Sequence, residues 1–202
     1  MNEAAIPKRK AERAVARLAP QTWLDAGFKA LAEGGVDRIR IEALAKGLGV
    51  TKGSFYWHFR DRNELLAALL AVWREGRIAA LERQAQEGGA SPRAQLRHIL
   101  TLYVERPNPR GQAIELAIRD WARRDAAAAA VVATVDSARL AILRRLYQGL
   151  GLDEPMAETH ALLFYAFLFG QSLIQLGEPA GGDPAACRAR FALCGGVLLE
   201  QG

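Results

Sequence analysis

Cysteine is scarce in this chain, with two residues among 202. That number is too small for a disulfide-stapled scaffold, and it fits a reducing cytoplasm. Long apolar runs are missing as well, since no stretch reaches the roughly 18 uncharged apolar residues of a membrane-spanning helix. The N-terminus has no apolar segment of the kind found in signal peptides. We therefore expect a cytoplasmic protein that makes no contact with a membrane.

Motifs for metal binding and catalysis are also lacking. The chain has three histidines, with no His-x-x-x-His or Cys-x-x-Cys pair. No glycine-rich phosphate loop and no nucleophile with a partnering acid or base is recognisable. We therefore expect no metal, no cofactor and no enzymatic activity. Cys187 and Cys194 are expected to be small buried apolar residues.

The positive charge is concentrated in the first third of the chain. Residues 1–62 hold 12 Lys and Arg against 7 Asp and Glu, whereas residues 63–202 hold 15 of each. This asymmetry favours contact between the N-terminal part and a polyanion, with a solvated basic surface as the alternative. Residues 1–19 are predicted to be a basic, flexible tail, which either follows a DNA minor groove or makes no contact.

Helical patterns occupy the remainder of the chain. No window alternates β-branched and aromatic residues as a strand would, whereas apolar residues recur at helical spacing. Glycine pairs, prolines and capping residues divide the chain into about nine predicted helices. The predicted ranges are 20–34, 41–48, 52–59, 62–86, 92–104, 112–124, 126–149, 156–176 and 184–199. Asp61 and Glu64 have capping-box spacing at the start of the fourth helix.

The most informative pattern lies within residues 41–65. Two short predicted helices are joined by a turn in which Gly49 relieves backbone strain and Val50 packs the corner. This is the sequence form of a helix-turn-helix, whose second helix enters the major groove of DNA. Phe55 and Phe59 lie four residues apart and are expected to form the buried face of that second helix.

Several side chains around the second helix suit DNA contact. Those suited to sequence-independent phosphate anchoring are Arg40, Lys46, Lys52 and Arg62. Those suited to base, sugar or further phosphate contacts are Thr51, Ser54, Tyr56 and Trp57. Tyr56 and Trp57 could instead form a structural aromatic pair, and His58 could be a packed or capping histidine.

A family signature is recognisable over residues 20–66. The chain resembles the TetR family of transcriptional regulators in the run Gly49-Val50-Thr51-Lys52-Gly53-Ser54-Phe55-Tyr56-Trp57-His58-Phe59, followed by Arg62-x-Glu64-Leu65-Leu66. The resemblance implies an all-α fold. It places a three-helix, helix-turn-helix DNA-binding domain at 20–66 and a ligand-binding and dimerisation domain at 67–202.

The resemblance also implies roles for individual residues. The expected DNA-reading positions are Thr51, Lys52, Gly53, Ser54, Tyr56, Trp57 and His58. Arg62 stands where the family often has a lysine against a phosphate, and it keeps the charge and adds a forked donor. Arg40 stands where the family usually has a capping Ser or Thr, and it cannot cap in that way, although it could itself reach a phosphate.

The second half of the chain has two strongly apolar helices, around residues 162–169 and 189–198. A helix that is apolar all round must be covered on every side. The resemblance implies a four-helix dimer interface, for which we expect Leu162, Phe169, Leu193 and Val197. The alternative is that both helices belong to the core of a monomer. A ligand cavity is expected among the fifth to eighth helices, lined by His98, Tyr103, Trp121, Phe164 and Phe167, each of which is otherwise an ordinary core residue.

The sequence as a whole predicts a homodimeric transcriptional regulator. It is expected to repress transcription from a palindromic operator in double-stranded DNA and to be released by an unidentified, mainly apolar small-molecule effector. One alternative is a DNA-binding protein controlled by its abundance or by a protein partner. The other is a helical enzyme, which the missing catalytic motifs disfavour.

Overall fold

The structure, a computed structural model, describes residues 18–106, 108–171, 173 and 184–200, without the side chains of 105, 184, 186–188, 191, 198 and 200. The described residues form nine α-helices and one 3₁₀ turn and contain no strand, which confirms the all-α prediction. These elements are α1 (Pro20–Gly34), the 3₁₀ turn (Val36–Arg38), α2 (Ile41–Gly47), α3 (Lys52–Tyr56), α4 (Arg62–Glu87), α5 (Pro92–Glu105), α6 (Pro109–Ala122), α7 (Ala126–Gln148), α8 (Glu154–Gly170) and α9 (Pro184–Glu200). The predicted tail lies outside the described residues, except for 18 and 19.

Helix starts follow the capping signals of the sequence. The carboxylate of Asp61 caps α4 by accepting a hydrogen bond from the backbone N–H of Glu64 at 2.9 Å. The Glu64 carboxylate accepts from the N–H of Arg60 and not from that of Asp61, so only half of the predicted capping box is present. The hydroxyl of Ser91 caps α5 by accepting from the N–H of Ala94 at 3.2 Å.

Three predicted helix ends are wrong by several residues. Helix α3 ends at Tyr56 rather than at 59, because the chain turns there and stacks the Phe59 ring on Phe55 at 5.4 Å. Helix α6 begins at Pro109 rather than at 112, since proline suits a first helical turn and the Asn108 side chain accepts from the next free N–H. Helix α8 ends at Gly170 rather than at 176.

The described chain divides into two compact units. The first comprises the residues up to Trp73 together with Ala113–Ala129, and the second comprises Arg74–Gln112 and the residues from Ala130 onward. The first unit has a core of large apolar side chains, which includes Trp23, Leu31, Ile39, Phe55, Leu65 and Leu69. Arg124 lies 3.8 Å from Asp37 and so connects the segment after α6 to the 3₁₀ turn within that unit.

The second unit is a helical bundle with its own core. Residues of α4, α5, α7, α8 and α9 form one buried cluster, with Tyr147 and Phe164 fully buried in it. Helix α9 packs against α5 and α8, and a Cβ on Gly195 would overlap the side chain of Leu100. Cys194 is exposed, so the expectation that it is buried is wrong, and the side chain of Cys187 is outside the described residues.

Helix α7 is, among the described helices, the one that is long and apolar enough to cross a membrane by length and composition. It carries Asp136 and Arg139, which are connected through Tyr165 of α8. The Arg139 guanidinium donates to the Tyr165 hydroxyl at 2.8 Å, and that hydroxyl donates to Asp136 at 2.7 Å. Charged side chains engaged with a neighbouring helix indicate a packed helix of the bundle.

Candidate nucleic-acid interface

The turn between α2 and α3 has the geometry that the sequence predicts. Gly49 adopts a φ of 69°, a left-handed conformation that glycine takes without Cβ strain. The N–H of Gly49 donates to the carbonyl of Lys46 at 3.2 Å, and the N–H of Val50 donates to Ala45 at 3.0 Å. These hydrogen bonds satisfy carbonyls at the C-terminus of α2, and they hold α2 and α3 in contact.

Aromatic side chains on one face fix α3 to the rest of the first unit. Phe55 and Phe59 are both buried, as predicted. The Trp23 ring of α1 meets Phe55 edge-on, with the ring centroids 5.2 Å apart. Ser54 is only 4% exposed, so the expectation that it is available on the outer face is wrong. It adjoins Phe55 on the helix and shares its inward side.

The opposite face of α3 presents aromatic side chains to solvent. Tyr56 is 56% exposed and Trp57 is 80% exposed, although large aromatic side chains usually bury most of their surface. Thr51, Lys52 and Gly53 are exposed beside them. His58 is half-buried, and its Nε2 is buried without a hydrogen-bond partner among the described residues.

The N-terminal positions of α2 and α3 are not capped by side chains. Thr51 holds the N-cap position of α3, as predicted, but its hydroxyl makes no capping hydrogen bond. Arg40 holds the N-cap position of α2 without a side-chain cap, as expected, and its Nε donates to the carbonyl of Asp37 at 3.3 Å. The first N–H groups of both helices therefore lack a partner from the N-cap side chain, and such groups favour anions.

An ion pair joins the two helices of the motif. The Lys52 ammonium of α3 is paired with the Glu42 carboxylate of α2, and both side chains are more than half exposed. The hydrogen bond from Lys52 lowers the pKa of the Glu42 carboxyl below its usual value. The sequence analysis missed Glu42 because the turn that brings the two residues together is a tertiary feature. Lys46 is also exposed.

Arg62 has a structural role that the sequence analysis missed. Its Nε donates to the carbonyl of Ile39 at 2.6 Å, and its Nη2 donates to the carbonyl of Val36 at 2.8 Å. The half-buried guanidinium thus satisfies two carbonyls of the 3₁₀ turn and the loop after it. Two donors of Arg62 are thus directed at backbone in the DNA-free chain, and the phosphate contact expected of it stays a prediction.

Comparison with known proteins finds relatives of the segment that contains α2, the turn and α3. Residues 24–69 match the model of the bacterial regulatory proteins of the tetR family. The chain is 33% identical over 88 residues to the HTH-type transcriptional regulator AcrR of Shigella flexneri, covering 42% of this chain and 40% of that protein. It is 43% identical over 53 residues to the class A tetracycline repressor protein from transposon 1721 of Escherichia coli, covering 26% of this chain and 24% of that protein.

The chain is therefore similar to the TetR family of bacterial regulatory proteins over residues 24–69. It spans less than half the length of both curated TetR-family relatives in these alignments. A solved transcriptional regulator from Rhodococcus sp. Rha1 superimposes with a TM-score of 0.72 at 24% identity, covering 91% of this chain and 97% of that one. This likeness shows that the two chains share a fold that includes the second half of this chain.

The predicted ligand-lining residues do not share one unit of this protein. Trp121 belongs to the first unit, and His98, Tyr103, Phe164 and Phe167 belong to the second. Phe164 is fully buried in the core of the second unit, and Tyr103 and Phe167 pack against that core. The Nε2 of His98 is 3.9 Å from the Glu87 carboxylate, too long for a hydrogen bond.

Sequence reasoning missed a buried histidine in the same bundle. His160 is 5% exposed, its Nδ1 has no hydrogen-bond partner among the described residues, and its ring lies 5.2 Å from that of Tyr147. Burial raises the pKa of the Tyr147 phenol. The burial of His160 could have been predicted from its position directly before the apolar run of α8.

The predicted dimer residues are largely uncovered in the single chain. Leu162, Leu193 and Val197 are all more than half exposed, and Phe169 is half-buried. The interpretation of both helices as monomer core therefore fails for the three exposed residues. The single chain therefore does not cover α8 on every side, and cover by a second copy stays a prediction. These residues lie on two helices that pack against each other, and we call them together the α8–α9 face.

Proposed function

We propose that this protein is a DNA-binding transcriptional regulator that uses α2, the turn and α3 to dock on double-stranded DNA. The observation that carries the proposal is the exposed pair Tyr56 and Trp57, at the end of α3 and just after it, beside the exposed Lys52. Phe55 of the same helix and Phe59 after it are buried and fix the other side. A rigidly held helix with an outward polar and aromatic face suits insertion into a major groove. The family match over the same residues supports it.

The proposed DNA surface contains the predicted contact residues with two exceptions. Arg40, Lys46 and Lys52 supply charge for phosphates, and Thr51, Gly53, Tyr56, Trp57 and His58 supply the contacts of α3. Ser54 and Arg62 are omitted, because one is buried and the other holds backbone carbonyls. In this proposal, residues 20–66 are the DNA-binding domain and residues 67–202 are the domain for dimerisation and effector binding.

The regulator acts as a homodimer on a palindromic operator. One helix as short as α3 reads too few base pairs for useful specificity, whereas two related by a dyad read two half-sites. The exposed Leu162, Leu193 and Val197 of the α8–α9 face support this assembly, because an apolar surface shared by two copies is buried when they associate.

Regulation is by repression that a small molecule relieves, in the cytoplasm and without enzymatic activity. The tetracycline repressor among the relatives supports this control. The effector would bind within the second unit, where His160 and Tyr147 provide polar groups among aromatic side chains. A ligand shifts the equilibrium only by its differential affinity for two conformations, and a coupling of about 1–3 kcal/mol loosens operator binding about 5- to 150-fold.

Selection of DNA from a random pool by the full chain tests the DNA-binding proposal. We expect enrichment of a two-fold symmetric sequence whose half-site centres lie about one helical turn, or a multiple of it, apart. We also expect the affinity for this operator to fall steeply with salt. Recovery of no enriched sequence at low salt would contradict the proposal.

A thermal-shift screen of apolar and aromatic compounds tests the effector proposal. Each compound that stabilises the protein is then titrated against the preformed complex with operator DNA. We expect at least one stabilising compound to make the protein dissociate from the operator DNA. If the stabilising compounds leave DNA affinity unchanged, control by protein abundance or by a protein partner becomes the better account.

A further inference from the structure

The ion pair between Glu42 and Lys52 lies on the surface that the proposed function assigns to DNA. Glu42 is in the first turn of α2, and Lys52 is the first residue of α3. Their side chains remain 63% and 54% exposed, so both charges face solvent. Lys52 also stands at the basic position that suits phosphate contact. The Glu42 carboxylate is therefore paired with the ammonium group that a DNA phosphate would otherwise contact.

We propose that Glu42 holds Lys52 in the DNA-free protein, that a DNA phosphate displaces Glu42, and that Glu42 thereby limits affinity for DNA of any sequence. This inference rests on the proposed DNA-binding function. It assigns to Glu42 a role in setting how strongly the regulator binds non-specific DNA, which competes with the operator in a genome.

The exchange of partners follows from charge and exposure. An exposed ion pair is weak, because water and salt screen it and two long side chains must be ordered to form it. Phosphates along DNA can therefore displace the carboxylate easily. Once Lys52 has moved to a phosphate, the Glu42 carboxylate remains beside DNA, and like charges at short distance repel. The penalty depends on the DNA backbone alone and is independent of base sequence.

The salt dependence should carry the same signature. Each phosphate neutralised by a lysine releases about 0.9 of a condensed counterion. In the DNA complex, where Lys52 has moved to a phosphate, the Glu42 carboxylate attracts a cation from solution. This uptake offsets part of the counterion release. Removing the carboxylate should therefore make the plot of log affinity against log salt steeper.

The test is Glu42→Gln in the full chain, which keeps the shape of the side chain and removes its charge. Affinity is measured by fluorescence anisotropy for the selected operator and for a scrambled duplex, from about 50 to 200 mM salt. We expect Glu42→Gln to bind both duplexes about 2- to 10-fold more tightly at low salt. The salt slope should be steeper by about 0.5–1.

Two controls isolate the pair. Glu33→Gln removes the same charge from an exposed ion pair with Lys29 on α1, and we expect it to change affinity by less than about 1.5-fold. The second control repeats Glu42→Gln in a chain that already carries Lys52→Met. The gain in affinity over Lys52→Met alone should be smaller than the gain over wild type, because no lysine is released. An equal gain for Glu33→Gln, or the same gain with and without Lys52, would show that bulk charge alone is responsible and overturn the proposal.

Other outcomes also contradict the inference. Weaker binding of Glu42→Gln to both duplexes would mean that Glu42 positions Lys52 for its phosphate. If Glu42→Gln lowers affinity for the operator alone, and the loss depends on one C·G pair of the operator, then Glu42 accepts a hydrogen bond from that cytosine. If the wild-type chain binds no DNA, the proposed function fails together with the inference. If it selects an operator and Glu42→Gln brings no gain, only the inference fails.

Discussion

At the scale of single residues, Arg62 shows how one side chain organises the first unit. Its two donors hold the carbonyls of Val36 and Ile39, and these flank the loop that leads into α2. Backbone carbonyls in a half-buried loop need partners, and a charged donor provides strong ones. The position of α2 relative to the start of α4 thus depends on a residue that the sequence pattern assigns to phosphate contact.

We predict that Arg62→Ala destabilises the protein. Hydrogen bonds from a charged group contribute about 1.5–3 kcal/mol each, and partial exposure lowers this value, so we expect the free energy of unfolding to fall by about 1–3 kcal/mol in urea titrations. Arg60→Ala is the matched control, because the Arg60 side chain is 86% exposed and should change stability by less than about 0.5 kcal/mol. Equal effects of the two variants would contradict the structural role of Arg62.

At the scale of the element, α3 combines a fixed inner face with an open outer face. Gly53 lies on the exposed part of this short helix, and a Cβ there would meet only the Thr51 hydroxyl, at 3.6 Å. The structure of the free protein therefore gives no steric reason for glycine at this position. Close approach of the helix backbone to DNA would give one, since glycine allows such an approach.

We predict opposite effects of Gly53→Ala on stability and on DNA binding. Alanine favours helix over glycine by about 0.5–1 kcal/mol, so the melting temperature should rise while operator affinity falls. Gly76→Ala in α4 is the control, because its Cβ would meet nothing within 4 Å and it should stabilise without affecting DNA. Unchanged operator affinity of Gly53→Ala would argue against close backbone contact at Gly53.

Local signals predicted the elements better than their ends and contacts. The start of α4 was predictable because a capping box depends on residues three apart. The end of α3 was not, because stacking of Phe59 on Phe55 turns the chain earlier than helix periodicity suggests. The burial of Ser54, the carbonyl contacts of Arg62 and the Glu42–Lys52 pair all depend on how α2, α3 and the 3₁₀ turn pack, which no local pattern contains.

At the scale of the whole molecule, the proposed dimer depends on the α8–α9 face. The pattern of apolar residues predicted that α8 and α9 are strongly apolar, whereas only the structure shows which of their residues the single chain leaves uncovered. Leu193 is 73% exposed and is the most exposed leucine among the described side chains. One exposed leucine alone needs no explanation, but its grouping with the exposed Leu162 and Val197 supports the proposed assembly.

We predict that Leu193→Asp shifts the dimer toward monomer and abolishes operator binding, because a buried, unpaired charge opposes association. Sedimentation velocity at micromolar concentration and anisotropy on operator DNA measure the two effects. Met156→Asp is the control, since this exposed residue lies in the first turn of α8, where an acidic side chain is favourable. A wild-type protein that sediments as a monomer would contradict the proposed assembly.

The most direct test of the central claim is the operator affinity of the full chain with Lys52, Tyr56 and Trp57 all replaced by alanine. The three side chains are exposed, so the fold should survive, as circular dichroism can verify. Base contacts contribute about 1–3 kcal/mol each, and replacing the lysine removes a phosphate contact as well. The account predicts a loss of operator affinity of at least about 100-fold. Wild-type operator affinity in this variant would show that α3 is not the DNA-reading helix.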